Sequence, residues 1–157
     1  MPINPDKVII SDTTCLIGLS NIGQLNILQE MYGSIVITPE IAEEYGVSLP
    51  EWINVQVVSD TQKIKAFHKF IGLGESSAIA LAMETRNSLL IVDDRRARQF
   101  ALSMGLEITG TLGLLIQAYE KNIIQDIDSV ITRLREVDFH LPTNTEALIK
   151  AARKSGL

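Results

Sequence analysis

Asp93 and Asp94 follow directly on the apolar run Leu89, Leu90, Ile91 and Val92, and Arg95, Arg96 and Arg98 come immediately after them. One acid suffices to cap a helix, and a second beside it adds repulsion. Asp12 stands in the same setting, at the end of "VIIS". Glu43 and Glu44 lie in "PEIAEEY", and Glu75 opens "ESSAIALA". Each has a plain structural explanation: a helix cap for Asp12, a favourable helix dipole for Glu75, a solvated face for Glu43 and Glu44. Gathered at one place, however, carboxylates raise one another's pKa unless a cation neutralises them. Hard divalent cations such as Mg²⁺ or Mn²⁺ take oxygen ligands of this kind, together with water and substrate phosphate. The chemistry open to such a set is that of a bound cation, which activates water and polarises a phosphoryl oxygen.

Whether these acids meet depends on the elements that carry them. Short runs rich in Val and Ile at 7–11, 34–38, 54–58, 88–92 and 106–109 read as strands. Helical stretches separate them: one from Cys15 broken near Gly23, then "PEIAEEYG", "DTQKIKAFHKFIG", "ESSAIALAMETRN" and "RRARQFALSMG". Several end in Gly, the usual residue of a left-handed helix stop. After the fifth strand, "TLGLLIQAYEKN", "QDIDSVITRLREV" and "TNTEALIKAARKSG" also read as helices, with "DFHLP" as a loop. This alternation predicts an α/β fold, a parallel sheet with helices on both faces, in one domain over residues 1–157. In such sheets ligands bind at the carboxyl ends of the strands, where strand order reverses. Asp12, Asp93 and Asp94 are therefore expected at one edge, with Glu43 and Glu44 about one turn away and Glu75 in the first turn of its helix.

Composition narrows the classes. With 46% hydrophobic and 21% charged residues, the 157-residue chain can build a full core and is not disordered. No apolar run is long enough to span a membrane, and "MPINPDK" carries no signal-peptide pattern, so a cytoplasmic location without membrane contact is expected. Cys15 is the single cysteine and has no disulfide or zinc partner within the chain. The net charge of −5 argues against a nucleic-acid partner, yet Asp12, Glu44, Glu75, Asp93 and Asp94 account for all of it. His68 and His140 come without a Gly-x-Ser-x-Gly elbow, which leaves a Ser-His-Asp hydrolase unsupported. "GLGES" is too short for a dinucleotide fingerprint and lacks the preceding strand. A phosphoryl-accepting receiver would carry its acid doublet after the first strand, and a dehalogenase-type phosphatase would have Asp where Thr14 stands. Lys63, Lys65 and Lys69 read as a basic cluster on one helix; these and the three arginines could hold phosphates or simply be solvated. Lys150, Arg153 and Lys154 suit the end of the last helix. "TLGLLIQAYEKNII" and "VITRLREV" hold more large apolar residues than one helix face needs, which suits either core or a partner surface.

The stretches "VIISDTTCLIGLSNIGQLNIL", "ITPEIAEEY", "LGLGESSAIALA", "LLIVDDRRARQFA" and "GLEITGTLGLLIQAYEKNII", in this order, resemble the PIN-domain nucleases, more closely their small prokaryotic toxin-like branch. The resemblance runs on through "LREVDFHLPTNTEALIKAA" and so covers nearly the whole chain. It implies a three-layer α/β/α fold with a five-stranded parallel sheet of order 3-2-1-4-5 and extra carboxyl-terminal helices. It also implies a divalent-metal-dependent site of about four acids, frequent homodimers and, for toxins, RNA cleavage silenced by a cognate antitoxin. Residue by residue, the family's acids fall on Asp12, Glu44 (with Glu43 adjacent), Glu75 and Asp93, as catalytic groups and as ligands of Mg²⁺ or Mn²⁺. Asp94 and Thr111 fall at accessory positions, and Arg95, Arg96 and Lys69 are candidate substrate contacts. Toxins more often carry Asp where this chain has the longer Glu75. The rival expectation is an inert PIN-fold module that binds nucleic acid or protein.

Overall fold

The first strand, β1 (Val8–Ser11), lies at the centre of the sheet because both of its neighbours pair with it in parallel: β2 (Ile35–Ile37) through Ile10↔Val36 and β4 (Ser88–Ile91) through Val8↔Ser88 to Ser11↔Ile91. β3 (Ile53–Val55) adds outside β2 and β5 (Ile108–Thr109) outside β4, completing five parallel strands in the order β3-β2-β1-β4-β5, as expected. A computed structural model describes residues 7–155; the amino-terminal residues 1–6 of "MPINPDK", Gly156 of the last expected helix and the ends of the 1–157 domain lie outside the described residues. Ile9, Ile10, Leu90 and Ile91 are buried, consistent with a sheet covered on both faces.

The helices are α1 (Thr13–Asn21), α2 (Asn26–Tyr32), α3 (Pro39–Tyr45), α4 (Thr61–Phe67), α5 (Leu73–Met83), α6 (Arg95–Ser103), α7 (Thr111–Glu120), α8 (Ile127–Glu136) and α9 (Thr145–Ser155). The break between α1 and α2 falls at Gly23, whose φ of 68° a side chain would resist. Thr38 caps α3 through its side chain and Pro39 supplies the pre-set first helical φ. α5 is buried on nearly every side from Gly74 and Ser76 through Ala82, which its small Ala and Ser residues permit, and it runs beside α3, α4 and the strands β1 and β4. Among the described residues, no helix is long and apolar enough to cross a membrane.

Several expected boundaries shift. β3 covers 53–55 rather than 54–58, because its only partner, β2, ends at Ile37 where α3 is about to begin; Gln56 N–H still reaches Ile37 O, and Val57 is then exposed. α4 stops at Phe67, where Phe70 N–H and Ile71 N–H both turn back to Phe67 O so that Ile71 can enter the core. Lys69 therefore sits in a turn and does not share a helix with Lys63 and Lys65. The apolar surplus of α7 and α8 is taken up by the chain's own core: Leu112, Leu114, Leu115, Val130, Ile131 and Leu134 are all buried.

Candidate active site

β1 ends at Ser11, and Asp12 does two jobs in the next position. Its Oδ1 accepts from Cys15 N–H at 2.9 Å, capping α1, and its Oδ2 accepts from Asp93 N–H at 2.8 Å, across the gap to β4. The capping role read from the sequence is observed, and the same carboxylate also reaches the backbone of the second acid-bearing strand end. Asp93 is fixed in turn by Thr111, whose N–H donates to Oδ1 at 2.8 Å and whose hydroxyl donates to Oδ2 at 2.5 Å. Asp94 performs the cap that the doublet seemed to duplicate, accepting from Ala97 N–H at 2.9 Å at the start of α6. One acid of the pair starts the helix; the other faces Asp12.

Two helices bring the remaining acids. Glu44 comes from the last turn of α3, where Thr13 Oγ1 donates to its Oε1, and its carboxylate lies so close to α5 that a Cβ on Gly74 would stand 2.1 Å from Oε1. A buried hydrogen bond of 2.6 Å between Thr38 and Ser77, with Ser77 Oγ donating to Gly74 O at 2.7 Å, sets the start of α3 against the first turn of α5. Glu75 lies in that first turn, where it favours the helix dipole. A Cβ on Gly110 would stand 2.8 Å from Arg98 Nη1 and 3.0 Å from Asp93 Oδ1, so glycine here makes room for the guanidinium and the carboxylate together. Glu43 and Glu44 are both exposed; what distinguishes Glu44 is the bond from Thr13 and its closeness to Gly74.

The electrostatics follow from burial among like charges. Asp12 is only 2% exposed, and burial followed by the charge of Asp93 raises its pKa well above the ordinary carboxylate range, against the pull of its two backbone donors. Burial raises Asp93 as well, opposed by the Thr111 donors and by the Arg98 guanidinium. Glu75 is raised by burial, then by Glu44 and Asp94. None of these acids belongs to an ion pair among the described residues, which join Lys7 to Glu107, Arg135 to Glu146 and Arg153 to Asp128. Arg98, grouped by sequence with the phosphate contacts, donates instead to Val92 O at 2.9 Å beneath Asp93.

An all-oxygen donor set with surplus negative charge and glycine beside its carboxylates fits a hard divalent cation. As they stand, no three acid, histidine or cysteine side chains of the described residues are arranged to hold an ion. Asp12 and Asp93 are pinned, whereas Glu44 and Glu75 reach the edge on longer arms. Arg96 and Lys69 line a hollow beside Glu75 and Asp94, while Arg95 is exposed. Sequence reading missed Thr13, Gly74 and Gly110. Thr13 was visible as a hydroxyl directly after Asp12; the two glycines had no local signal, since each is required by a side chain distant in sequence.

The family model DUF3368, described as a PIN domain, matches residues 8–154. No curated protein and no solved structure gives a match.

Proposed function

The chain belongs to the PIN-domain family, whose members are generally nucleases that use divalent metal ions, and on that premise we propose that it is a metal-dependent endoribonuclease. The observation that carries the proposal is the Asp12–Asp93 pair: a buried and a half-buried carboxylate, each held by two hydrogen-bond donors and joined through Asp93 N–H to Asp12 Oδ2, neither in an ion pair among the described residues. Each oxygen keeps a lone pair beyond the one its donor occupies. Asp12 and Asp93 would hold Mg²⁺ or Mn²⁺, with Glu44 and Glu75 completing the ligand set. A bound ion supplies a more acidic water and polarises the phosphoryl oxygen. Thr111 keeps Asp93 aimed at Asp12, and Thr13 does the same for Glu44. Asp94 starts α6 so that Arg96 emerges beside the acids. By resemblance, the reading extends to a cytoplasmic toxin with a cognate antitoxin and a homodimeric state.

Among the described residues no three ligands are arranged to hold an ion as they stand, which favours a second reading, a PIN-fold binding module without catalysis. Incubation of labelled single-stranded RNA with Mn²⁺ or Mg²⁺, with and without chelator, separates the two. The nuclease reading expects cleavage that chelator abolishes and that Asp12→Asn, shown folded by circular dichroism, lowers by at least about a hundredfold. Cleavage indifferent to chelator or to Asp12→Asn sinks it.

A further inference from the structure

Beside Glu75 and Asp94 the surface opens into a hollow of about 550 Å³, next to a second of about 430 Å³, and Lys69, Phe70 and Arg96 line both. Phe70 is 61% exposed, in the turn after α4, and it is the one aromatic among the large apolar side chains left open to solvent in the described residues. An exposed phenyl ring forgoes the stabilisation that burial gives, yet this one is held in place. Its ring lies 6.4 Å from that of Phe100 at an interplanar angle of 23°, and Phe100 meets the buried Phe67 edge-on at 4.9 Å. The turn that presents it is tied by Phe70 N–H to Phe67 O at 2.9 Å and by the His68 ring to Ile71 O at 3.0 Å. Arg96 and Phe100, four residues apart on α6, lie on one face of that helix. Neither Lys69 nor Arg96 belongs to an ion pair among the described residues.

A braced aromatic face flanked by two unpaired cations has the chemistry of a stacking platform for single-stranded nucleic acid, in which a ring takes a base and the cations take phosphates. We infer that this groove binds an unpaired nucleotide of the substrate strand, its base stacked on Phe70 and its phosphate held between Lys69 and Arg96, so that the neighbouring phosphodiester reaches the acids. The inference rests on the nuclease reading and names the part of the substrate that the acids do not recognise. A base within a duplex has both faces stacked already and offers none to Phe70, so the groove selects single strands.

The test uses a fluorescein-labelled oligoribonucleotide of mixed sequence, its duplex and the matching oligodeoxyribonucleotide. Binding is read by anisotropy in the Asp12→Asn background, which leaves the strand uncut, and cleavage is read in Mn²⁺ with Asp12 intact. Phe70→Ala is expected to weaken single-strand binding about tenfold and to leave the weak duplex binding unchanged. Phe70→Trp is expected to keep the affinity and to show emission quenched by the strand, against the background of Trp52. Lys69→Ala with Arg96→Ala should make the dependence of log affinity on log salt shallower by about one for each phosphate that the protein no longer neutralises; an unchanged slope overturns the phosphate assignment. Phe70 dependence confined to the ribonucleotide supports the groove as an RNA site, and the same dependence with the deoxyribonucleotide supports it for either sugar. A strand cut normally and bound equally by the Phe70→Ala protein overturns the groove and leaves the nuclease reading intact. Phe70-dependent binding of strands that no metal causes to be cut upholds the groove and overturns the nuclease reading.

Discussion

Between α8 and α9, Asp128 is paired with Arg153 and Glu146 with Arg135, all on solvent-exposed side chains. At the carboxyl edge of the sheet, Asp12 is buried and Asp93 half-buried, Asp93 N–H joins the two, and the donors to both carboxylates are neutral. The exposed pairs are satisfied and contribute little, because water screens them. The edge acids are destabilising as carboxylates, because burial and mutual repulsion both oppose ionisation. Where a fold keeps charges that weaken it, the reason lies in what they bind.

Three substitutions bear on this contrast. Asp93→Asn has the largest expected effect: metal-dependent cleavage should fall by at least about a hundredfold in a gel assay, like that of Asp12→Asn. It should also reveal the burden of the charge. Because the folded pKa of Asp93 lies above its unfolded value, the stability it contributes is complete below about pH 4 and is lost as pH rises through the raised folded pKa. In chelator, thermal melts at about pH 3.5 and about pH 7.5, which bracket the loss from the unfolded pKa upward, should therefore show a smaller decline for Asp93→Asn than for the parent; equal declines contradict the assignment of the burden to this group.

Gly74→Ala comes next and should split activity from stability. The new Cβ occupies the place of Glu44 Oε1, so cleavage should drop about tenfold as the carboxylate is pushed aside. Since Glu44 is exposed and can yield by giving up its bond from Thr13, a loss that the better helix propensity of Ala offsets, stability should change by less than about 1 kcal/mol in urea unfolding. Undiminished cleavage would show that the position of Glu44 is immaterial. The smallest effect belongs to the other region: Asp128→Asn should change stability by less than about 1 kcal/mol and leave cleavage alone. A larger destabilisation would mean that the α8–α9 pair is more than a screened surface interaction.

Much of this arrangement is legible in the chain itself. The strands announce themselves through β-branched runs, and each acid that ends a strand must lie at the carboxyl edge once the strands are parallel, so Asp12 and Asp93 can be placed together. The division of labour within the doublet cannot, because it depends on Thr111, eighteen residues beyond Asp93, donating to one of the two. Glu44 and Glu43 are indistinguishable by sequence for the same reason: the contacts that single out Glu44 come from Thr13 and Gly74, on other elements. Lys69 reads as helical because "DTQKIKAFHKFIG" has no internal breaker; the helix ends instead because Ile71 must turn into the core. Phe70 gives no signal of its own because an aromatic residue in an apolar helix pattern reads as core, and only the turn exposes it.

The bond from Asp93 N–H to Asp12 Oδ2 joins residues 81 apart in the chain. Asp12 emerges early during synthesis, but its second donor does not exist until β4 has been made and docked on β1, and Asp93 then waits for Thr111. Contacts of such long sequence separation form late, after the loops between them have closed. The nascent chain therefore carries these acids apart until β4 and Thr111 have followed, as a consequence of strand order alone.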